Sequence, residues 1–369
     1  MLGFLTIVVL IVMAIGVVVR LMKVLDLAGE LRGKTEEEVT ESDNQMNGIF
    51  FILFMLFLFG ITIYQVVKYR SYMMTPPASE HGHIIDDLMY FTFRIIGIVF
   101  FITQTVLFFF AYKYHSKKDS KAYYYSHNNK LEMIWTIIPT IVLTAMIVYG
   151  LLVWDIGMTK ASEDSWLTKS LKEMLFKDYV AKTKDDKTPI VIEIFSKQYK
   201  WVARYSGNDN ELGRFSYKMI QGVNELGVDS ADAKAWDDVI VSAEFHLPVN
   251  RPVEFHFRSQ DVLHGVFMPY FRAQINSVPG MTTRLQLKPT ITTAEMKKIM
   301  KNEAFDYLLL CNKHCGSAHY TMQMNIVVES EDEFNKWIKD QKIFKSAETP
   351  KTAVIVTDSL QLTTHNSQL

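Results

Sequence analysis

The sequence predicts an α-helical membrane part followed by an all-β domain. Apolar residues crowd into the first 155 positions, short β-rich segments alternate with turns after them, and the only two cysteines, Cys311 and Cys315, lie together in that second part. At 369 residues the chain exceeds one typical domain, and its 49 % hydrophobic and 21 % charged composition averages over two unlike halves.

Four apolar runs, near Leu2 to Val19, Gly48 to Val67, Phe91 to Tyr112 and Ile134 to Trp154, approach or reach the roughly 20 residues a helix needs to cross about 30 Å of hydrocarbon. About four transmembrane helices are therefore expected. The first run has no basic segment before it and no small-residue cleavage site after it, so it reads as a retained helix. Basic residues are enriched in cytoplasmic loops. Lys113, Lys117, Lys118, Lys121 and Lys130 place the loop between the third and fourth runs inside. By parity the segment from Arg20 to Asn47 is inside too, and the loop from Lys68 to Met89 and everything after Asp155 are outside. Lys68 and Arg70 run against this assignment. The expected location is a bacterial inner membrane, crossed several times, with the second part in the periplasm.

A charged linker with a short helix around Trp166 to Phe176 leads into the second part. Strands are predicted at Ile190 to Phe195, Val239 to Phe245, Val253 to Phe257, Thr283 to Leu287, Tyr307 to Leu310 and Met324 to Val328. Surface helices are predicted at Thr293 to Glu303 and Glu331 to Lys342. Short strands separated by turn signals predict a sandwich or small barrel. The resulting division is two additional helices (1–68), a helical hairpin (69–155), a linker (156–188), the β domain (189–345) and a tail (346–369) expected to be disordered. The formal net charge of −1, with no nucleic-acid-reading motif, excludes nucleic acid as an expected partner.

The stretch Cys311-Asn312-Lys313-His314-Cys315-Gly316-Ser317-Ala318-His319-Tyr320-Thr321-Met322 sets two thiols, an imidazole and a thioether between two predicted strands. Soft sulfur with imidazole selects copper or zinc over magnesium or calcium, and a thioether favours copper. The segment from Ser259 to Pro269 adds His264 at a strand end. Taken singly, each histidine would be an ordinary structural or surface residue, Met322 a core methionine, and the cysteine pair either a metal or a thiol-redox site. Five such residues in this order and spacing argue for a metal.

Together they resemble the dinuclear copper (CuA) domain of cytochrome c oxidase subunit II, whose pattern is a histidine after Asp-Val and then Cys-x3-Cys-x3-His-x2-Met. The resemblance implies a cupredoxin-like Greek-key barrel. It implies two copper ions bridged by Cys311 and Cys315, one completed by His264 and Met322, the other by His319 and the backbone carbonyl of Lys313. It also implies an electron-transfer subunit of a respiratory haem-copper oxidase, taking electrons from cytochrome c and passing them to the haem of catalytic subunit I, where oxygen is reduced to water. The haems would lie on that partner. No Cys-x-x-Cys-His occurs, so the donor would be a separate chain. Alternatives are the copper subunit of another terminal reductase, or a membrane-anchored copper chaperone or thiol oxidoreductase. The latter leaves His319 and Met322 unexplained. A quinol oxidase subunit would carry no copper, and the complete ligand set argues against it.

The run from His127 to Pro139 resembles the start of the second hairpin helix of the same family, marked Leu-Glu-x-x-Trp-Thr-x-x-Pro. That implies Glu132 at the mouth of a proton channel of the catalytic subunit; the alternative is a solvated anchor. Arg94 either snorkels or pairs with a partner. The resemblance covers roughly Phe91 to Trp154 and Pro189 to Ser330 and leaves the first two runs unassigned.

Three departures stand out. Lys313 replaces a family glutamate that also reaches a magnesium ion, and Asn276 stands where aspartate is usual. Gln198-Tyr199-Lys200-Trp201 resembles the aromatic strand Gln-Trp-Tyr-Trp, so Tyr199 aligns with the tryptophan that takes up electrons, and Trp201 is either a substitute or barrel core. An insertion between Tyr205 and Val239 is rich in acids and reads either as a surface that would steer a basic donor or as a solvated loop. His81 and His83, near Asp86 and Asp87, read as a polar loop or a metal cluster.

Overall fold

Runs of apolar residues propagate as helices beyond the predicted limits, the fourth of them through Pro139. The computed structural model describes residues 2–31, 40–117, 120–158, 166–177 and 187–347. Its long helices are α1 (Leu2–Leu31), α2 (Glu41–Met73), α3 (Glu80–Lys113) and α4 (Asn129–Met158). Among the described residues, α2, α3 and the Asn129–Asp155 part of α4 are long and apolar enough to cross a membrane. Side chains such as Phe57, Ile98 and Ile141 lie more than half exposed, a surface that only hydrocarbon or a membrane partner can cover. The expected count of four spans is thus met by three, with α1 a fourth long helix.

The chain divides into two compact units, Met1–Met73 with Phe93–Thr136, and Met74–Thr92 with Ile137–Leu369. In the first, α2 and α3 pack through aromatic contacts, Phe59 on Phe101 at 4.7 Å and Phe54 on Phe108 at 5.7 Å between ring centroids. Gly48 permits the approach: a Cβ there would lie 3.3 Å from the Tyr112 backbone. In the second, the short helix α5 (Trp166–Leu175) is tied to the end of α4 by the 2.7 Å Lys172–Asp155 ion pair.

Ten strands follow: β1 (Ile190–Lys197), β2 (Lys200–Tyr205), β3 (Val239–Val241), β4 (Glu244–Pro248), β5 (Val253–Ser259), β6 (His264–Met268), β7 (Ala273–Ser277), β8 (Thr283–Leu287), β9 (Tyr307–Cys311) and β10 (Gln323–Glu329). They form two five-stranded sheets, ordered β3-β2-β1-β5-β8 and β4-β10-β9-β6-β7. β1 runs parallel to β5 and β10 parallel to β4, and the other pairings are antiparallel. The core between them is built from buried residues including Ile192, Phe245, Phe255, Phe257, Val266 and Leu309. Helices α6 (Thr293–Met300) and α7 (Glu331–Asp340) each begin with a capping box, Thr292 with Glu295 and Ser330 with Glu333.

Two local readings change. The segment predicted as one strand from Val239 to Phe245 breaks at Ser242 and serves both sheets, β3 in one and β4 in the other. The stretch taken as a polar loop around residues 75–89 is partly barrel and partly helix. The Ala78 N–H donates to the Tyr270 carbonyl at 2.7 Å, the Thr290 N–H donates to the Ala78 carbonyl at 2.8 Å, and Ser79 Oγ donates to the Phe271 carbonyl at 2.7 Å. His81 and His83 sit in the first turn of α3, and Asp86 is held by the Arg272 guanidinium at 2.6 and 3.0 Å. A carboxylate committed in this way does not serve a metal cluster. The tail beyond residue 347 and linker residues 159–165 and 178–186 lie outside the described residues.

Candidate metal centre

The site grows from the adjacent ends of β6 and β9, where Val266 pairs with Cys311. His264 opens β6 and Cys311 closes β9. The loop after β9 is returned to the sheet by the Asn312 N–H on the Gly265 carbonyl and the Cys311 N–H on the Met322 carbonyl, both 3.1 Å. A Cβ on Gly265 would collide with the Asn312 side chain, so only glycine lets that loop approach. Gly316 has φ 140°, and a Cβ there would run into the Tyr199 hydroxyl. This glycine therefore answers both a backbone and a space requirement.

These constraints converge the donor atoms. Cys311 Sγ and Cys315 Sγ are 3.9 Å apart. His264 Nδ1 lies 3.9 Å and the Lys313 carbonyl 3.2 Å from Cys311 Sγ; His319 Nδ1 lies 3.6 Å and Met322 Sδ 3.9 Å from Cys315 Sγ. Among the described residues, His264, Cys311 and Cys315 are the one group of histidine, cysteine or carboxylate side chains placed to hold a metal ion. His264, Cys315 and Met322 are buried, and the Lys313 side chain is exposed, so only its carbonyl faces the site.

The surroundings fix these donors. Asp261 Oδ1 lies 2.8 Å from His264 Nε2, which leaves Nδ1 for the cysteines, and Asp261 Oδ2 accepts the Gln198 N–H at 2.8 Å. Burial works against the Asp261 charge, yet the Gln198 and Val262 N–H groups and the His264 ring hold its carboxyl below the usual range. A carboxylate behind a ligating imidazole sets the ring's tautomer and orientation. Burial, with Cys311 adding to it, pushes the Cys315 thiol up to about 11. Loading this pair with metal must therefore release protons.

The donor set fits a copper pair. Two sulfurs 3.9 Å apart would both reach an ion held at a metal–sulfur distance of about 2.3 Å, and His264, Met322, His319 and the Lys313 carbonyl are placed beside them to supply further donors. Four donors of soft or borderline character and a thioether favour copper over zinc.

The other predicted residues are not equally placed. Trp201 is fully buried, its ring 6.0 Å from that of His264 and edge-on to it. Tyr199 is partly exposed, with its hydroxyl 3.3 Å from Ser317 Oγ in the loop between Cys315 and His319. Gln198, which the sequence reading did not single out, donates its side-chain amide to the Cys315 carbonyl. Glu132 stands exposed in the first turn of α4, far along the chain from the β domain. Several acids of the insertion are ion-paired, Asp229 and Asp232 with Arg214, Glu211 with Lys234 and Glu225 with Lys197 and Lys200 at the surface, and Asp238 with Arg204 in the interior.

The family model for the cytochrome c oxidase subunit II transmembrane domain matches residues 69–153. The alternative cytochrome c oxidase subunit 2 of Bradyrhizobium diazoefficiens is 29 % identical over 296 residues, covering 79 % of this chain and 92 % of that protein. The chain is similar to cytochrome c oxidase subunit II. Cytochrome c oxidase subunit 2 of Thermostichus vulcanus is 22 % identical over 295 residues, 76 % of this chain and 82 % of that one. The periplasmic domain of cytochrome oxidase subunit II of Bradyrhizobium japonicum is 22 % identical and covers 42 % of this chain and 93 % of that domain, with a TM-score of 0.28, a likeness too slight to bear on the fold. The matched subunit II transmembrane domain contains all of α3 and most of α4 and leaves α1 and nearly all of α2 before it.

Proposed function

We propose that this subunit II relative is the electron-transfer subunit of a respiratory haem-copper oxidase, accepting electrons from cytochrome c at a dinuclear copper centre. The observation that carries the reading is the convergence of six donor atoms, from Cys311, Cys315, His264, His319, Met322 and the Lys313 carbonyl, around the two cysteine sulfurs. Cys311 and Cys315 would hold both ions, with His264 and Met322 completing one and His319 and the Lys313 carbonyl the other. Such a copper pair, when bound, exchanges a single electron. The chain's own contribution is rigidity: two paired strands and the Asp261, Gln198 and Gly265 contacts hold the donors in one arrangement, so little has to move when charge changes. Tyr199, at the surface of the ligand loop, takes up the electron, and Trp201 packs behind His264.

The remaining assignments follow from that reading. The two sheets are a cupredoxin-like Greek-key barrel, bounded at about 189–345 and held in the periplasm by a hairpin at 69–155. α1 is a fourth membrane span, and residues 1–68 form an addition that meets another subunit. The haems and the oxygen chemistry lie on catalytic subunit I. Glu132 collects protons at the cytoplasmic edge of α4. Affinity purification of the chain from its native membrane tests the assignment. A haem-bearing membrane subunit should co-purify, and reduced cytochrome c should be oxidised by the assembly in the presence of oxygen. Recovery of the chain without any haem protein contradicts it.

A further inference from the structure

Helix α5 has more apolar surface than its neighbours cover. Its Lys172 pairs with Asp155 at 2.7 Å, and Phe176, whose N–H still donates to the Lys172 carbonyl at 2.7 Å, stacks its ring on Tyr149 at 5.7 Å between centroids. Ile84, Ile85, Leu88, Tyr149 and Leu171 pack around the buried Leu152, Val153 and Phe176. α5 thus lies against the last turns of α4 and the first turns of α3. At about 3.6 residues per turn, Lys172 and Phe176 share the face that meets those helices. Leu171, Met174 and Leu175 fall to one side of it, and Lys169, Ser170 and Glu173 to the other. The second side is polar and exposed, as a water-facing stripe is. The first holds Met174 at 69 % and Leu175 at 49 % exposure, beside a part-covered Leu171. A helix that met only its helical neighbours and water would not hold an apolar stripe out.

The level of α5 identifies what covers that stripe. The part of α4 apolar enough to cross a membrane ends at Asp155. Tyr149 lies one and a half turns, about 9 Å of helix, inside that end. On α3 the carboxylates of Asp86 and Asp87 precede Phe91, whose ring meets Tyr149 edge-on at 5.7 Å, so the second span marks the same level. Because Phe176 is stacked on that tyrosine, the C-terminal end of α5 reaches past the charged rim of both spans. Leu151 and Trp154, in the same turns of α4, also stand more than half exposed, so hydrocarbon is required at this level in any case. We propose that α5 is an interfacial helix, with Met174 and Leu175 among the acyl chains of the adjoining leaflet and Lys169 and Glu173 in the headgroup layer. An insertion of about 5–10 Å is typical of amphipathic helices that lie on a bilayer. Lys177 follows Phe176 and is exposed, and its long stem returns the ammonium to the phosphates. Lipid accepts a narrow apolar stripe without a matching shape or polar partner. The helix thereby pins the chain to the membrane surface between the end of α4 and the start of β1.

Two measurements on the full chain in its native membrane test this. In wild type, hydroxyl-radical oxidation of Met174, read by peptide mass spectrometry, should be at least about fivefold slower than that of Met219 in the β domain, because lipid excludes the water that carries the radical. Exposure in the protein alone predicts the reverse, since Met219 is 40 % exposed and Met174 69 %. A diazirine-bearing amino acid in place of Met174, Leu175 or Glu173 then distinguishes lipid from protein. Irradiation should give acyl-chain adducts from the first two at least about fivefold above those from the third. Oxidation of Met174 as fast as that of Met219 would show a solvated helix, and adducts of Met174 and Leu175 positions to another polypeptide would show a protein partner. Either result overturns the proposal.

Discussion

The side-chain amide of Gln198 donates to the main-chain carbonyl of Cys315, while the Gln198 backbone N–H donates to Asp261, the carboxylate that steadies His264. One residue of the β1–β2 turn thus ties together the two segments that bring the metal ligands. Replacing Gln198 with alanine removes the amide and leaves the backbone donor. Copper affinity, measured by competition with a chelator, should fall by about tenfold, the size typical of lost outer-shell hydrogen bonds. Unchanged affinity together with an unchanged spectrum would show that the strands alone fix the loop.

Arg272 adopts a left-handed backbone conformation with φ 52° and spends its guanidinium on Asp86, Thr75 and the Pro269 carbonyl. Both partners of the Arg272–Asp86 pair are mostly buried. Arg272→Ala and Asp86→Ala in the full-length protein in detergent should each lower stability, and a double-mutant cycle should return a coupling of about 1–3 kcal/mol. Additive losses would mean that the pair contributes nothing beyond its two residues' separate packing.

Burial pushes the Asp238 carboxyl up to about 7, against the pull of Arg204. A carboxyl raised in the folded state binds its proton more tightly there than in the unfolded chain, so its contribution favours folding at low pH and is lost as pH rises through about 7. The thermal midpoint of wild type relative to Asp238→Asn should therefore climb as pH is lowered from about 8 to about 5. A constant difference over that window would contradict a perturbed Asp238. Glu193 works the other way. Burial opposes its charge but Arg204 and Arg258 hold its carboxyl below the usual range, so the stability it adds is lost only in more acidic solution.

Glu132 is exposed at the first turn of α4, where the Asn128 side chain accepts the Leu131 N–H. Glu132→Gln keeps the shape and removes the titratable proton. Copper reduction should stay fast while oxygen turnover slows in the assembled complex, a combination read by stopped-flow and oxygen-electrode measurements together. Loss of assembly with both activities falling in step would point to an anchor and not a proton-uptake group.

The copper ligands were legible because chemistry compresses them into a short stretch: Cys311, Cys315, His319 and Met322 fall in one loop, and His264 opens the strand beside it. The strands that escaped notice had physical reasons to do so. β2 carries Arg204, whose charge breaks the apolar alternation yet is buried against Glu193 and Asp238. β6 includes Gly265, which has no side chain to show a pattern, and β7 alternates over only five residues, two of whose inward positions are the small Ala273 and the polar Ser277. The ion pairs of the insertion, such as Asp229 and Asp232 with Arg214, were not legible because a sequence displays charges without their partners. Likewise residues 75–80 looked like loop, since the hydrogen bonds that join them to Tyr270, Phe271 and Thr290, the second through the Ser79 hydroxyl, cross about 190 positions or more.

The central claim is that Cys311 and Cys315 bridge two copper ions, and electron paramagnetic resonance of the copper-loaded protein, with copper counted on the same sample, tests it most directly. The account predicts two coppers per chain and hyperfine structure from one unpaired electron shared over two nuclei, lost together in Cys311→Ser and Cys315→Ser. A spectrum of a single copper, or a native protein that carries zinc at these thiols, would contradict it.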